Sequence, residues 1–220
     1  MVGSRIRLSK DRLRAQYLYD DATCSYVRVT VDGHLAGNAF ACSWTVNNKS
    51  VCWVTQIVVH RNYRERGLAK ALLNQLKHDG IDMYGLMSSH PAACLAAAKA
   101  FGGKPTDVLH YGTYFKTKDS LSTVRLDVIG KHAREIIEAS PIGYVKDAQL
   151  RGSVFFRDET NGLVSCVNSG FFVDHTEPLE ALAWVREGME WPLGELLDGH
   201  EFLLIFEAKR SFRSRATGRH

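Results

Sequence analysis

Val51 to Ala69 reads VCWVTQIVVHRNYRERGLA, and the fold is decided here. Val51 to Val59 is a nearly continuous apolar run without the alternation of a half-buried strand. It predicts a strand covered on both faces, as central strands of α/β sheets are. The chain then crosses a short loop with Arg61, Arg64 and Arg66 and opens a helix on Gly67. Leu68, Ala69, Leu72, Leu73 and Leu76 form an apolar stripe opposite Lys70, Asn74 and Lys77, which predicts a helix over Gly67 to His78, ended by Gly80. Such a junction is an anion cradle. The first amides of a helix lack intrahelical acceptors and its dipole is positive at that end. Gly67 and Ala69 leave room for a phosphate to reach the backbone. Neither the GxxxxGK[ST] loop nor the dinucleotide GxGxxG is present.

Working outward, Tyr26 to Val31 alternates into Asp32-Gly33, a two-residue hairpin turn, and Leu35 to Trp44 is the return strand. Asn47-Asn48 marks a second turn. Downstream, Met83 to Ser88 predicts a short strand, and Pro91 opens an alanine-rich helix that runs through Phe101 to a Gly102-Gly103 stop. From Lys104 to about Phe156 the pattern loosens and reads as an insertion. Within it Leu126, Ile129, Ala133, Ile136 and Ile137 share a helix face ended by Pro141. A strand over Leu163 to Val173, a helix from Pro178 to Glu187 and a strand over Glu201 to Glu207 close the chain.

The run Arg64-Glu65-Arg66-Gly67-Leu68-Ala69 resembles the Gln/Arg-x-x-Gly-x-Gly/Ala signature of the Gcn5-related N-acetyltransferases, the GNAT superfamily. The order of elements is similar as well, over Tyr26 to Phe101 and more loosely over the closing strands. The resemblance implies an α/β fold with a mixed, mostly antiparallel twisted sheet flanked by helices, into which the stretch from Lys104 to about Phe156 reads as a helical insertion before the closing strands. It implies acetyl-CoA as acyl-donor cosubstrate and no metal. Backbone groups of Ile57, Val58 and Val59 would pair with the pantetheine arm where the sheet splays. Arg64, Glu65, Arg66, Gly67, Leu68 and Ala69 would wrap the pyrophosphate, and Ser88 to His90 would face the thioester. Relatives begin with a strand and two helices before the hairpin, whereas twenty-five residues precede Tyr26 here. The first strand is therefore expected to be short, missing or replaced by a partner chain, and a homodimer is compatible with that.

The chain departs from the family twice. VCWVTQIVV carries no carboxylate where many relatives have a glutamate base; Thr55 and Gln56 can only orient a water. On the alanine-rich helix, Ala97 or Ala96 falls where a tyrosine commonly serves as acid. No catalytic residue is assigned. Cys94 near a helix start is a nucleophile or, among alanines, packing. His90 is a proton shuttle or a helix cap, and with Cys94 it has metal-like spacing but no second pair. Tyr111 and Tyr114 are phenol candidates, or the insertion's own core. Phe171, Phe172, Trp184 and Trp191 either line an acceptor pocket or are buried against the sheet.

The whole chain of 220 residues suits one compact domain over 1–208 followed by a basic tail, 209–220. The net charge is +4; residues 209–220 carry +5 and residues 1–14 another +4, which leaves −5 on residues 15–208. An acidic body with basic ends argues against a nucleic-acid face and mildly favours a cationic acceptor, a small-molecule or peptide amine. Two other readings remain: a non-catalytic acyl-CoA binding module, and a nucleic-acid binder that uses its ends. No apolar run is long enough to span a membrane, Met1 to Arg14 lacks a signal-peptide core, and five cysteines without a CxxC pair suit reduced thiols, so a cytoplasmic protein is expected.

Overall fold

The computed structural model describes residues 9–11, 22–102, 123–158 and 161–208. Seven strands form one sheet: β1 (Thr23–Val31), β2 (His34–Val46), β3 (Lys49–Val59), β4 (Met83–Ser88), β5 (Gln149–Arg151), β6 (Cys166–Asn168) and β7 (His200–Glu207). Their order is β1-β2-β3-β4-β7-β6-β5, antiparallel at every step except β3 against β4. Both early turns are set by residues that tolerate positive φ, Asp32 and Gly33 at 50° and 78° and Asn47 and Asn48 at 48° and 60°. Two-residue turns of that hand match the twist of the strands they join.

The helices are α1 (Leu68–Gln75), α2 (Pro91–Phe101), α3 (Leu126–Glu138), α4 (Gly143–Lys146) and α5 (Thr176–Gly188). One face of the sheet is covered by α1, α2 and α5, through Leu72, Leu73, Ala97, Phe101 and Leu182 against Val54, Leu86 and Phe202. The other is covered by α3 and α4, through Ile129, Ile136 and Val145 against Val51, Trp53, Met83 and Leu203. β3 is therefore apolar on both faces because both faces are covered.

Several boundaries differ from the sequence reading. α1 stops at Gln75 instead of His78: Leu76 closes the last turn, and the His78 amide donates to the Tyr84 hydroxyl (3.3 Å). The strand expected over Leu163 to Val173 shrinks to Cys166–Asn168. The Asn168 side chain accepts from the Gly170 amide (3.0 Å), Gly170 turns to φ 65°, and Leu163 makes only an isolated bridge to Gly194. The insertion is not purely helical, since it supplies β5, which pairs with β6 at the sheet's far edge. Nor is α3 an appendage, because Ile129 and Ile136 are wholly buried. Tyr111, Tyr114 and residues 209–220 lie outside the described residues, and no described helix is long and apolar enough to cross a membrane.

Candidate functional site

The parallel pair β3–β4 is tight at one end and open at the other. At its start the Ser50 amide donates to the Asp82 carboxylate and the Asp82 amide to the Ser50 carbonyl, both at 2.9 Å. Pairing then runs from Val51↔Met83 to Val54↔Leu86 and ends. In the middle the Trp53 ring occupies the space above Gly85, where a Cβ would stand 2.5 Å from it. From Thr55 onward β3 keeps only its β2 neighbour, while Met87 and Ser88 of β4 continue against β7.

A bulge marks the opening. Val54 pairs with Ala41 and Gln56 with Phe40, so Thr55 is the extra residue on β3. A bulge bends a strand and increases its twist, which turns the last residues of β3 away from β4. The Thr55 hydroxyl is buried there with no hydrogen-bond partner, and the Thr55 carbonyl accepts from the Tyr144 hydroxyl of α4 (3.4 Å). Ile57 and Val59 pack toward the α1 side of the sheet, so by alternation Gln56 and Val58 face the other side.

At the mouth of this split the chain makes a short 3-10 turn over Arg61–Tyr63, capped by the His60 ring, which accepts from the Asn62 amide (3.3 Å). Glu65 and Gly67 follow at φ 63° and 75°. Left-handed residues in successive turns are the backbone feature from which anion nests are built. The Gly67 carbonyl accepts the first intrahelical bond, from the Ala71 amide (3.0 Å). The amides of Leu68, Ala69 and Lys70 are left without intrahelical acceptors, as at any helix start. A Cβ on Gly67 would meet nothing within 4 Å, so the space beside this residue is open.

The two arginines flanking Glu65 behave differently. Arg66 lies over the Tyr63 ring, 5.6 Å from its centroid. Arg64 reaches the Val59 carbonyl (3.5 Å) and ion-pairs with Glu177 in the first turn of α5. That pair holds the Glu177 carboxyl below the ordinary carboxylate range. Glu177 also stands 3.6 Å from Nε2 of His90, while Nδ1 of His90 caps α2 by accepting from the Ala92 amide (3.1 Å). Arg64, Glu177 and His90 therefore connect the loop after β3 to the starts of α2 and α5, across the mouth of the split.

Residues 4–102 match the family model described as Acetyltransferase (GNAT) family. Over that segment, somewhat less than half of the chain, the protein is similar to the GNAT family. No curated protein and no solved structure matches it. The match ends at the close of α2, so the matched segment holds β1 to β4 with the split and the loop before α1, while α3 to β7 lie beyond it.

Within this GNAT fold the expected residues Ile57, Val58 and Val59 lie on the part of β3 past its pairing with β4. Arg64, Glu65, Arg66, Gly67, Leu68 and Ala69 follow as the loop and the start of α1. His90 is a helix cap, as one of its two readings had it. Cys94 is wholly buried and burial pushes its thiol far up, which suits packing and removes the nucleophile reading. Among the described residues no group of three His, Cys, Asp or Glu side chains is placed to hold a metal. Trp191 is buried edge-on against Phe202, with ring centroids 4.9 Å apart, but Phe171, Phe172 and Trp184 are exposed rather than packed on the sheet.

Three polar groups near the split are unmarked or only weakly marked in the sequence. Tyr144 is in a four-residue helix, and its contact with Thr55 spans 89 residues. Glu177 reads in sequence as an ordinary first-turn acid. Glu201 precedes Phe202, the partner of Ser88, on β7, and burial raises its carboxyl pKa. Only an unusual residue type on a strand start, an acid before FLLIF, marks Glu201 out.

Proposed function

We propose that the protein binds acetyl-CoA and transfers the acetyl group to a primary amine by direct attack. The observation that carries this reading is the coincidence of two features at one place: the opening of β3 from β4 after Val54, and the left-handed turns at Glu65 and Gly67 at its mouth. The unpartnered Thr55 hydroxyl and the open space before Gly67 fit such a ligand. In this reading the backbone of Ile57, Val58 and Val59 holds the pantetheine arm. The amides from Arg64 to Ala69 hold the pyrophosphate, with Arg64 and Arg66 as added cations.

When bound, acetyl-CoA supplies an activated acyl thioester open to attack by an unprotonated amine. The protein's own contribution is to orient and to exclude water. Thr55 and Tyr144 place hydroxyls at the split, and Gln56 lies on the face opposite α1. None of these is a base. β3 has no carboxylate, and Ala97, at the position of the usual acid, is wholly buried. The acceptor ammonium is therefore proposed to lose its proton to solvent, and the thiolate to leave unassisted, since thiols titrate near ~8.5. The rate should rise with pH toward the acceptor's own pKa instead of levelling near neutrality.

The missing base and acid favour a second reading, a module that binds acyl-CoA without turnover. Thiol release from acetyl-CoA, measured with polyamines, aminoglycosides, amino acids and lysine peptides, separates the two. The enzyme gives amine-stimulated release that climbs with pH; binding without release in every case supports the module. The −5 charge of residues 15–208 favours the polyamines and other cationic acceptors.

A further inference from the structure

Cys24 on β1 and Cys42 on β2 face each other directly in the antiparallel register, and their Sγ atoms are 3.0 Å apart. Directly opposite residues of an antiparallel pair have Cα atoms about 4.5–5.5 Å apart, inside the ~4.4–6.8 Å range that a disulfide spans. Closing the bond to its ~2.05 Å length moves the sulfurs by about 1 Å, within the play of two χ1 angles. The other thiols differ in access. Cys42 is buried but Cys24 is only half-buried, whereas Cys52, Cys94 and Cys166 are all buried, and burial pushes the Cys52 thiol up to about 11. An open depression of about 630 Å³ lined by Thr23, Ser43, Trp44 and Pro141 lies beside the next rung, Thr23↔Ser43.

We infer that Cys24 and Cys42 are a peroxide-responsive thiol pair whose disulfide locks the edge strand β1 to β2. The thiolate of Cys24 attacks one oxygen of hydrogen peroxide, the O–O bond breaks, and Cys24 becomes a sulfenic acid with release of one water. The Cys42 thiol then attacks that sulfur, the S–O bond breaks, and a second water leaves. In sum, two thiols are oxidised to one disulfide and one peroxide is reduced to two waters. Among the described residues β1 is the outer strand and pairs only with β2, so a covalent rung there suppresses its local opening.

The test uses the full chain, treated with hydrogen peroxide, alkylated under denaturing conditions and measured by intact mass and peptide mapping. The expected product has lost two hydrogens, keeps three of its five cysteines alkylatable, and yields one linked peptide pair holding Cys24 and Cys42. Dithiothreitol restores all five, and Cys24→Ser, at a half-exposed site, abolishes the loss. Amide exchange along Thr23–Val31 should slow by about tenfold in the oxidised form. Oxygen added to Cys24 without a link, a link from Cys24 to any other cysteine or to a second chain, no reaction, or unchanged exchange in β1 would each overturn the inference.

Discussion

Gly67 takes φ 75° and its Cβ position faces empty space, so the need for glycine there comes from backbone hand and not from crowding. That need was legible, because a glycine opening an apolar helical stripe after three arginines is a local pattern. What Arg64 does was not legible, because its partner Glu177 lies 113 residues away. Glu177 competes with any anion for that guanidinium and adds a like charge near a bound pyrophosphate. Glu177→Gln should therefore tighten CoA binding by about threefold, within the ~0.2–1 kcal/mol of exposed pairs, as read by calorimetry. Weaker or unchanged affinity would mean that Arg64 does not serve the phosphate. Glu201 gives a second residue-scale outcome. Burial raises its pKa above 4.5, so the folded state binds a proton more readily than the unfolded chain. Stability from this group is present at acid pH and is lost as pH rises from the unfolded value through the raised one. Glu201→Gln should stabilise the protein at pH 7 and do little at pH 4, as denaturant midpoints will show; the opposite pH order would contradict burial as the cause.

Among the elements, β1 to β4 and α2 were legible because each ends on chemistry that acts locally: Asp32-Gly33, Asn47-Asn48, Pro91. β5 was not, since three residues are too few for a period to register, and its pairing with β6 is a tertiary decision. The end of α1 was misplaced because Gly80 suggested a stop that the Leu76 turn makes earlier. The bulge at Thr55 had no sequence mark at all. It depends on how β2 aligns with β3, yet it sets the opening on which the proposed site depends. α3 shows how an apparent insertion becomes core. Ile136 is wholly buried on the sheet face opposite α1, so Ile136→Ala should cost about 2–5 kcal/mol in chemical denaturation. A cost under about 1 kcal/mol would show that α3 is an appendage able to come and go without the sheet.

At the scale of the molecule, the described residues form one sheet with helices on both faces and one parallel pair, which is fastened at Ser50 and Asp82 and parted beyond Val54. Charge is distributed against the simplest reading of a basic protein, because the excess cations sit on the terminal residues. The proposal that follows is a cradle that takes the nucleotide end of acetyl-CoA at α1 and a split that takes its arm. Titration of CoA into the full chain by calorimetry, beside a folded Gly67→Trp variant, tests this most directly. The account predicts one site per chain for the wild type and its loss in the variant. No heat with the wild type, or equal affinity in both, would contradict it.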